Sequence, residues 1–267
     1  MVRFYLTTHK RRWVEATSVP LFLKYEHFGV GTARSMPRAI GPYAIDSGGF
    51  TILQRFGRWT IEPQRYVDDL RLIREQVGPF GWAAPQDWMC EPAIIHGGTF
   101  GGQTFAGTGL SVVEHQRRTV GNYLLLKELA PELPIIPVVQ GWELPDYERC
   151  VGLYAREGVD LTREPVVGLG SVCRRQSTAE GAAIVTTLAA QGLKLHGFGF
   201  KTLGLAKVGH LMASADSAAW SYHARRRPPM PGHTTHKNCA NCLPYALNWR
   251  DRTLAALPPW HQPGLGT

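Results

Sequence analysis

No run of about 18 or more apolar residues occurs in the chain, so no segment is predicted to cross a bilayer. The amino-terminal MVRFYLTTHKRRW also lacks the long apolar core of a signal peptide. We therefore expect a cytosolic protein with no membrane association. At 267 residues, with 44% hydrophobic and 19% charged residues, the chain is predicted to be one folded domain over 1–267.

Cysteine is scarce and odd in number. The five cysteines are spread along the chain, which argues against a disulfide framework. Two of them, Cys239 and Cys242, form a C-x-x-C that follows His233 and His236. Thiolate and imidazole at these spacings can surround a tetrahedral ion, so a structural zinc is predicted at about 233–242. Reduced cysteines with no metal are the alternative interpretation.

Acidic residues are fewer than basic ones. The chain has 21 Asp and Glu against 29 Lys and Arg, a formal net charge of +8. A basic surplus favours a polyanionic partner such as nucleic acid, although it can also serve solubility alone. Basic clusters at 10–12, 174–175 and 225–227 could hold phosphates or form an ordinary solvated face.

Short apolar runs recur every few dozen residues between stretches with helical spacing. The predicted strands are Arg3–Thr8, Tyr43–Asp46, Gly81–Pro85, Ile135–Gln140, Pro165–Gly170, Lys194–Phe200 and His210–Ala215. The predicted helices are Ile61–Glu75, Ser111–Leu129, Leu144–Glu157 and Ser177–Gln191. Strand and helix in alternation predict an α/β fold with a parallel sheet, of the TIM (β/α)8-barrel type. An eighth strand is expected near or beyond the C-x-x-C segment.

Several of these runs end in a carboxylate, an amide or a glycine. Asp46, Asp87, Gln140, Gly170 and Asp216 all stand at or near such ends. Barrel enzymes keep their chemistry where the strands end, so these groups are expected to converge on one pocket. The alternative is helix capping and surface solvation, and for DSGGF alone a tight turn with a capping Asp46. The glycine-rich segment Ile94–Gly109 is expected to be a lid or a slack surface loop.

Six short motifs follow one another in a recognisable order. They are DSGGF, QDWMC, VVQG, GLGSV, HGFGF and SADSAAW. In order and approximate spacing they resemble the tRNA-guanine transglycosylase superfamily, over about Tyr43 to Asp216. The resemblance implies a TIM barrel that exchanges a guanine in nucleic acid for a 7-deazaguanine such as preQ0. By its motifs Asp216 resembles the nucleophile, Asp46 the carboxylate that handles the protons of the base, and Asp87 the reader of the purine edge.

The remaining base contacts are carried over in the same way. Gln140 and the backbone from Gly168 to Gly170 would complete recognition of the base. Phe50 resembles one side of a sandwich around it, with His196 or Phe198 on the other. The chemistry is sound in itself, because exchange at a glycosidic carbon needs a nucleophile on one face of the sugar and an acid or base on the other. Crowded carboxylates are also expected to raise one another's pKa.

The zinc ligands and the acceptor depart from the usual pattern of this superfamily. Its members carry a structural zinc on three cysteines and a histidine, whereas this chain offers His233, His236, Cys239 and Cys242. The compact chain and strings such as RFYLTTH and HKNCANCLPYAL are similar to the DpdA-type branch, which modifies DNA in bacteria and phages. DNA is therefore the favoured partner, in a bacterial or phage-infected cytoplasm. The alternatives are a tRNA-modifying enzyme, a base hydrolase and a non-catalytic zinc-stabilised nucleic-acid-binding protein.

Overall fold

The computed structural model of the protein describes residues 2–32 and 35–258. These residues form an α/β fold around a curled, parallel seven-stranded sheet, in the order β3-β2-β1-β9-β8-β7-β6. The strands of this sheet are β1 (Arg3–Thr7), β2 (Leu21–Lys24), β3 (Tyr43–Asp46), β6 (Val138–Val139), β7 (Val167–Leu169), β8 (Leu195–Gly197) and β9 (Ser214–Ser217). A parallel sheet brings the carboxyl ends of all its strands to one edge, as the sequence pattern implied.

The helices alternate with the strands of the sheet, and many of their buried residues belong to the same hydrophobic core. They are α1 (Gly49–Phe56), α2 (Pro63–Gln76), α3 (Pro92–His96), α4 (Val112–Leu129), α5 (Leu144–Arg156), α6 (Ala179–Ala190), α7 (Thr202–Val208), α8 (Ala219–Ala224) and α9 (Leu243–Ala255). The four predicted helices are confirmed within two residues at each end. Ser111 caps α4 and Thr178 caps α6 by accepting a backbone N–H, which explains where these helices begin. Among the described helices, none has the length and apolarity to cross a membrane.

The strand that sequence reasoning missed lies early in the chain. Leu21–Lys24 pairs in parallel with both β1 and β3. The expectation of an eighth strand near the C-x-x-C segment was wrong, because residues 243–255 form α9 instead. Residues 8–20, which connect β1 to β2, contain only a short 3-10 helix at Arg11–Glu15. Without a full crossover helix, the alternating rhythm by which the other strands were recognised is absent there.

The predicted strands Ile135–Gln140, Pro165–Gly170 and Lys194–Phe200 are confirmed as the shorter strands β6, β7 and β8, and two others depart further from the prediction. In Gly81–Pro85, Ala83 forms isolated parallel bridges to Ile45 and to Ile135. Backbone hydrogen bonds also join Gly81, Trp82 and Ala84 to β3. These bridges connect β3, at one edge of the sheet, to the chain leading into β6 at the other. In His210–Ala215 the first residues form a 3-10 helix, Gly209–Leu211, so the strand begins at Ser214 and contains Asp216.

The glycine-rich segment 94–109 is more ordered than its composition predicted. It contains a hairpin of two antiparallel strands, β4 (Gly98–Phe100) and β5 (Gln103–Phe105). Gly101 and Gly102 have φ values of +56° and +75°, which a tight turn of this kind requires. The ring of Phe105 is buried against Phe50 of α1. The hairpin thus stands beside the carboxyl edge of the sheet and is not a slack loop.

Candidate active site and metal cluster

The carboxyl edge of the sheet collects polar side chains from strands that are far apart in sequence. They include Thr7, Lys24, Asp46, Asp87, Gln140 and Asp216. Thr7, Lys24 and Asp46 are the last residues of β1, β2 and β3, and Asp216 lies in β9 beside β1. Because these strands are parallel, their carboxyl ends all lie at the same edge of the sheet. Three carboxylates predicted from sequence are therefore at one edge of the sheet.

Asp216 is buried and held by two donors. Its Oδ2 accepts a hydrogen bond from Thr7 Oγ1 at 2.5 Å, and its Oδ1 accepts one from the Gly199 N–H at 2.8 Å. Only 4% of the residue is exposed. Hydrogen bonds to a carboxylate favour its charged form and fix its orientation. Asp216 is thus a carboxyl group held in one orientation near the end of β9.

His196 lies beside Asp216, on the interior side of the sheet. Its Nε2 is 3.4 Å from Asp216 Oδ1, and its Nδ1 is 2.9 Å from Ser214 Oγ. The ring is fully buried and is surrounded by the aromatic rings of Tyr5, Phe22, Trp82 and Phe198. Its faces are therefore covered by protein. Of the two residues predicted to sandwich a base, Phe198 is the one that stays partly exposed.

Asp46 is the second carboxylate of the edge and is paired in register with Lys24. Its Oδ1 accepts the backbone N–H of Gly48 at 2.9 Å. Burial raises the pKa of Asp46 above its ordinary value, the charge of Lys24 and the Gly48 hydrogen bond oppose that rise, and the negative charge of Asp216 adds to it. The carboxyl edge therefore carries both a carboxyl group with a raised pKa, Asp46, and one held by two hydrogen-bond donors, Asp216.

Asp87 belongs to a buried relay of hydrogen bonds. Gln140 Nε2 donates to Asp87 Oδ2 at 2.5 Å, while Gln140 Oε1 accepts from Ser171 Oγ at 2.7 Å. Ser171 in turn accepts the Cys90 N–H at 2.8 Å. The relay determines which way the Gln140 amide faces. Ser171 has a φ of +57°, a backbone conformation uncommon for a residue other than glycine.

Burial is the main cause of the raised carboxyl pKa values. It raises the pKa of Asp87 to about 7, the Gln140 hydrogen bond opposes this, and the charges of Asp46 and Glu91 make smaller contributions. The sequence had suggested mutual repulsion of crowded carboxylates as the cause. Repulsion contributes, but removal from water dominates at both Asp87 and Asp46.

The two glycines assigned to base recognition each leave room for a neighbouring side chain. A Cβ on Gly168 would come within 2.7 Å of the Phe198 ring, and one on Gly170 would collide with the Gln140 amide. Any larger residue would displace the groups that face the edge. Phe50 lies in the first turn of α1, on the Phe105 side, with the Arg174 guanidinium 5.6 Å from its ring centre.

Glu91 is a fourth carboxylate that sequence reasoning missed. It is 5% exposed, and its Oε2 is buried with no hydrogen-bond partner among the described residues. Burial raises the pKa of Glu91, against the charges of Arg174 and Arg175. Cys173 Sγ lies 3.9 Å from Glu91 Oε1, and burial raises the pKa of Cys173 to about 12, so this thiol is not an activated nucleophile.

Four side chains near the carboxyl terminus form a compact cluster. The ligand atoms of His233, His236, Cys239 and Cys242 all lie within 4.8 Å of one another. His233 Nδ1 is 3.5 Å from Cys239 Sγ and 3.3 Å from Cys242 Sγ, and His236 Nε2 is 3.3 Å from Cys239 Sγ. Ligands bound tetrahedrally at about 2.0–2.3 Å from zinc are about 3.5 Å apart. The cluster therefore fits a metal ion such as zinc.

The segment that carries this cluster is attached to the strands of the site. Ser221 of α8 donates to the Ala240 carbonyl at 2.8 Å, and the Phe4 and Trp249 rings are 6.2 Å apart. Trp220 Nε1, in the same helix α8, donates to the carbonyl of Thr7 at 2.9 Å. The metal cluster is thus connected through α8 to Thr7, whose hydroxyl holds Asp216.

The contacts that sequence reasoning missed have weak sequence signals. Thr7 lies in the string RFYLTTH, which had suggested a family branch but no role for the residue. Lys24 lay in the unrecognised strand β2. For Glu91 a signal was available, since it lies only four residues after Asp87 and so near the same strand end.

The site and the cluster can be compared with known proteins. A sequence model of the family described as DpdA, DeoxyPurine in DNA protein A, matches residues 1–266. No curated protein matches the chain. The matched range includes every residue of the edge and all four side chains of the metal cluster.

Proposed function

The chain belongs to the DpdA family, as its motifs indicated, and on this premise we propose that it is a transglycosylase that replaces guanine in DNA with a 7-deazaguanine such as preQ0. Asp216 carries this proposal. It is a carboxyl group oriented by Thr7 and Gly199, and it shares the carboxyl edge of the sheet with Asp46, whose pKa is raised by burial. A nucleophile paired with an acid and base is the arrangement that retaining exchange at a glycosidic carbon requires.

The reaction proceeds in two displacements at C1′ of the target nucleotide. Asp216 attacks C1′, the bond from C1′ to N9 of guanine breaks, and the departing base takes a proton from Asp46. The 7-deazaguanine then enters, Asp46 removes its N9 proton, and N9 attacks C1′ as the bond to Asp216 breaks. Protons and bonds balance, and the configuration at C1′ is retained.

Recognition of the base is assigned to the buried relay and the surrounding rings. The fixed Gln140 amide and Asp87 present hydrogen-bonding groups to the purine edge, with the backbone of Gly168 to Gly170 completing them. Phe50 and Phe198 supply the faces of the sandwich, and His196 supports Asp216 and the floor of the site. A target base must leave its stack to reach this edge.

The complete fold is proposed to be a closed (β/α)8 barrel that forms one domain over 1–267. Support comes from Ala83, whose bridges to Ile45 and Ile135 connect the two edges of the sheet. An interior layer of side chains also draws on neighbouring strands around the sheet, as barrel interiors do. It contains Tyr5, Phe22, Ala44, Trp82, Ala84 and Ile136. The segment at 82–84 then takes the place of the eighth strand.

The metal cluster is proposed to hold one structural zinc. Four protein ligands would fill a tetrahedral zinc ion and leave no open position for a substrate, as in structural sites. When bound, zinc would cross-link the segment that packs on α8 and α9. His233, His236, Cys239 and Cys242 would be its ligands, and their loss would loosen the support of Thr7 by Trp220.

The nucleophile assignment is tested with Asp216→Asn. This variant keeps the shape of the side chain, and its amide oxygen can accept the Gly199 N–H while its NH2 group donates to the Thr7 hydroxyl. It should therefore bind DNA and melt like the wild type while losing exchange. Exchange is measured as labelled guanine incorporated into DNA and into tRNA, side by side. The control Asp251→Asn changes a side chain that is 72% exposed and should exchange normally. Near wild-type turnover in Asp216→Asn would refute the assignment.

The acceptor is tested by mass spectrometry of nucleosides. DNA and tRNA are isolated from cells that express the protein with a supply of 7-deazaguanine. We expect the modified nucleoside in DNA. Its appearance only in tRNA would identify the tRNA-modifying alternative, and free base released without replacement would identify a hydrolase.

A further inference from the structure

A basic groove lies beside the proposed active site. It is formed by the loops after β1 and β2, has a volume of about 870 Å³, and is called the β1–β2 groove below. Its lining residues are His9, Lys10, Arg11, Arg12, Trp13, Glu26, His27, Gly29 and Thr32. Because both loops follow the carboxyl ends of their strands, the groove opens at the same edge of the sheet as Asp216 and Asp46.

The groove is close along the chain to Thr7, the residue whose hydroxyl holds Asp216. His9 is two residues from Thr7, which holds Asp216, so the chain between them spans at most about 7 Å. His9 is also near Asn241 of the metal segment and Arg225, both of which influence its pKa. The groove therefore lies between the residue that orients Asp216 and the metal segment.

Its charges suit a polyanion. Lys10, Arg11 and Arg12 line it against a single acid, Glu26. Arg11 is held in place by donating to the Phe28 carbonyl at 2.8 Å, whereas Arg12 is 77% exposed. The Arg12 pair with Glu15, at 3.3 Å, is an exposed ion pair of the kind that contributes little. These cations are therefore available to phosphates.

We propose that the β1–β2 groove binds the DNA backbone phosphates that flank the target nucleotide. This inference rests on the proposed function and specifies where its substrate lies. The base edge is read by Asp87 and Gln140, so affinity for the strand has to come from other groups. Phosphate contacts by Lys and Arg supply such affinity and position the strand without reading its sequence.

The test compares two double variants that remove the same charge. Lys10→Ala with Arg12→Ala acts in the groove. Arg156→Ala with Arg163→Ala is the control, because these exposed residues lie at or near the end of α5 and before β7, at the opposite edge of the sheet. Binding of a fluorescent single-stranded oligodeoxynucleotide is measured by anisotropy over a salt series, in wild type and in both variants. Each variant's melting curve checks its fold.

We expect the groove variant to bind about tenfold or more weakly at low salt. The slope of log affinity against log salt should fall by about 1.4, or about 0.7 for each lost phosphate contact on a single strand. The control should match the wild type in both respects. In exchange assays the groove variant should raise KM for DNA and leave KM for the free base unchanged.

Other outcomes distinguish a wrong assignment of the groove from a wrong proposed function. Wild-type affinity and slope in the groove variant, with exchange into DNA intact, would overturn the groove and leave the function standing. A raised KM for the base alone would also overturn it, by placing these residues in the base site. Weaker binding of tRNA but not of DNA would overturn the assignment to DNA. A wild-type protein that exchanges no base in DNA would instead reject the proposed function.

Discussion

Replacing Asp87 by asparagine should stabilise the protein relative to the wild type, and this gain in the free energy of unfolding should grow as the pH rises. Burial raises the pKa of Asp87 from 3.8 to about 7. Each pKa unit corresponds to about 1.4 kcal/mol, so ionised Asp87 lowers the free energy of unfolding by about 4 kcal/mol at alkaline pH. An asparagine cannot ionise, and its side-chain oxygen can accept the same hydrogen bond from Gln140 Nε2.

The sign follows from proton binding in the two states. Below about pH 4 both the folded and the unfolded chain hold the proton on Asp87, and the group has no effect. Between about pH 4 and pH 7 only the folded chain holds it, so stability falls as the pH rises. Asp87→Asn removes this decline. We therefore expect its stability advantage over wild type to grow by about 3 kcal/mol from about pH 5 to about pH 8.

The measurement is urea unfolding at a series of pH values. Wild type, Asp87→Asn and the control Asp251→Asn are compared at each pH. Asp251 is a mostly exposed carboxylate, so its variant should run parallel to wild type. Parallel curves for wild type and Asp87→Asn would refute the reasoning, because they would mean that folding does not change the proton affinity of Asp87.

Three further predictions concern the metal cluster and the residues missed from sequence. Purified protein should contain about one zinc per chain and melt at a lower temperature after chelation. Cys239→Ser should lose the metal, whereas Cys150→Ser, which changes a buried cysteine outside the cluster, should keep it. Thr7→Val should lower kcat about tenfold and leave KM for the base unchanged, since a hydrogen bond to a charged group contributes about 1.5–3 kcal/mol. Thr7→Ser, which keeps the hydroxyl, should have the kcat of the wild type. Equal rates for all three proteins would refute a role for the hydroxyl. Glu91→Gln should raise the urea midpoint near pH 8 and have little effect near pH 4, because the pKa of Glu91 is raised by burial; a lower midpoint at pH 8 would contradict this.

The parts of the fold predicted from sequence are those with a local signal. Helices α2, α4, α5 and α6 were predicted from their helical spacing and their terminal residues, and six of the sheet strands overlap apolar runs that the sequence analysis identified. Strand Leu21–Lys24 has neither a crossover helix before it nor a turn motif, so its place between β1 and β3 depends on pairing alone. Residues 243–255 form helix α9, although the sequence analysis had predicted a strand near the C-x-x-C segment and no helix there.

The sequence by itself determined that Asp46, Asp87, Gln140 and Asp216 stand at strand ends, and that two histidines and two cysteines lie at ligand spacing. Parallel pairing then forces strand ends to one edge, which is why this much could be inferred without coordinates. Only the tertiary structure decided which groups touch. The hydrogen bond from Thr7 joins residues that are 209 positions apart. The burial that raises the pKa of Asp87, and that leaves Glu91 Oε2 without a hydrogen-bond partner in the part of the chain that the structure describes, depends on packing from every side. No local pattern of residues encodes such packing.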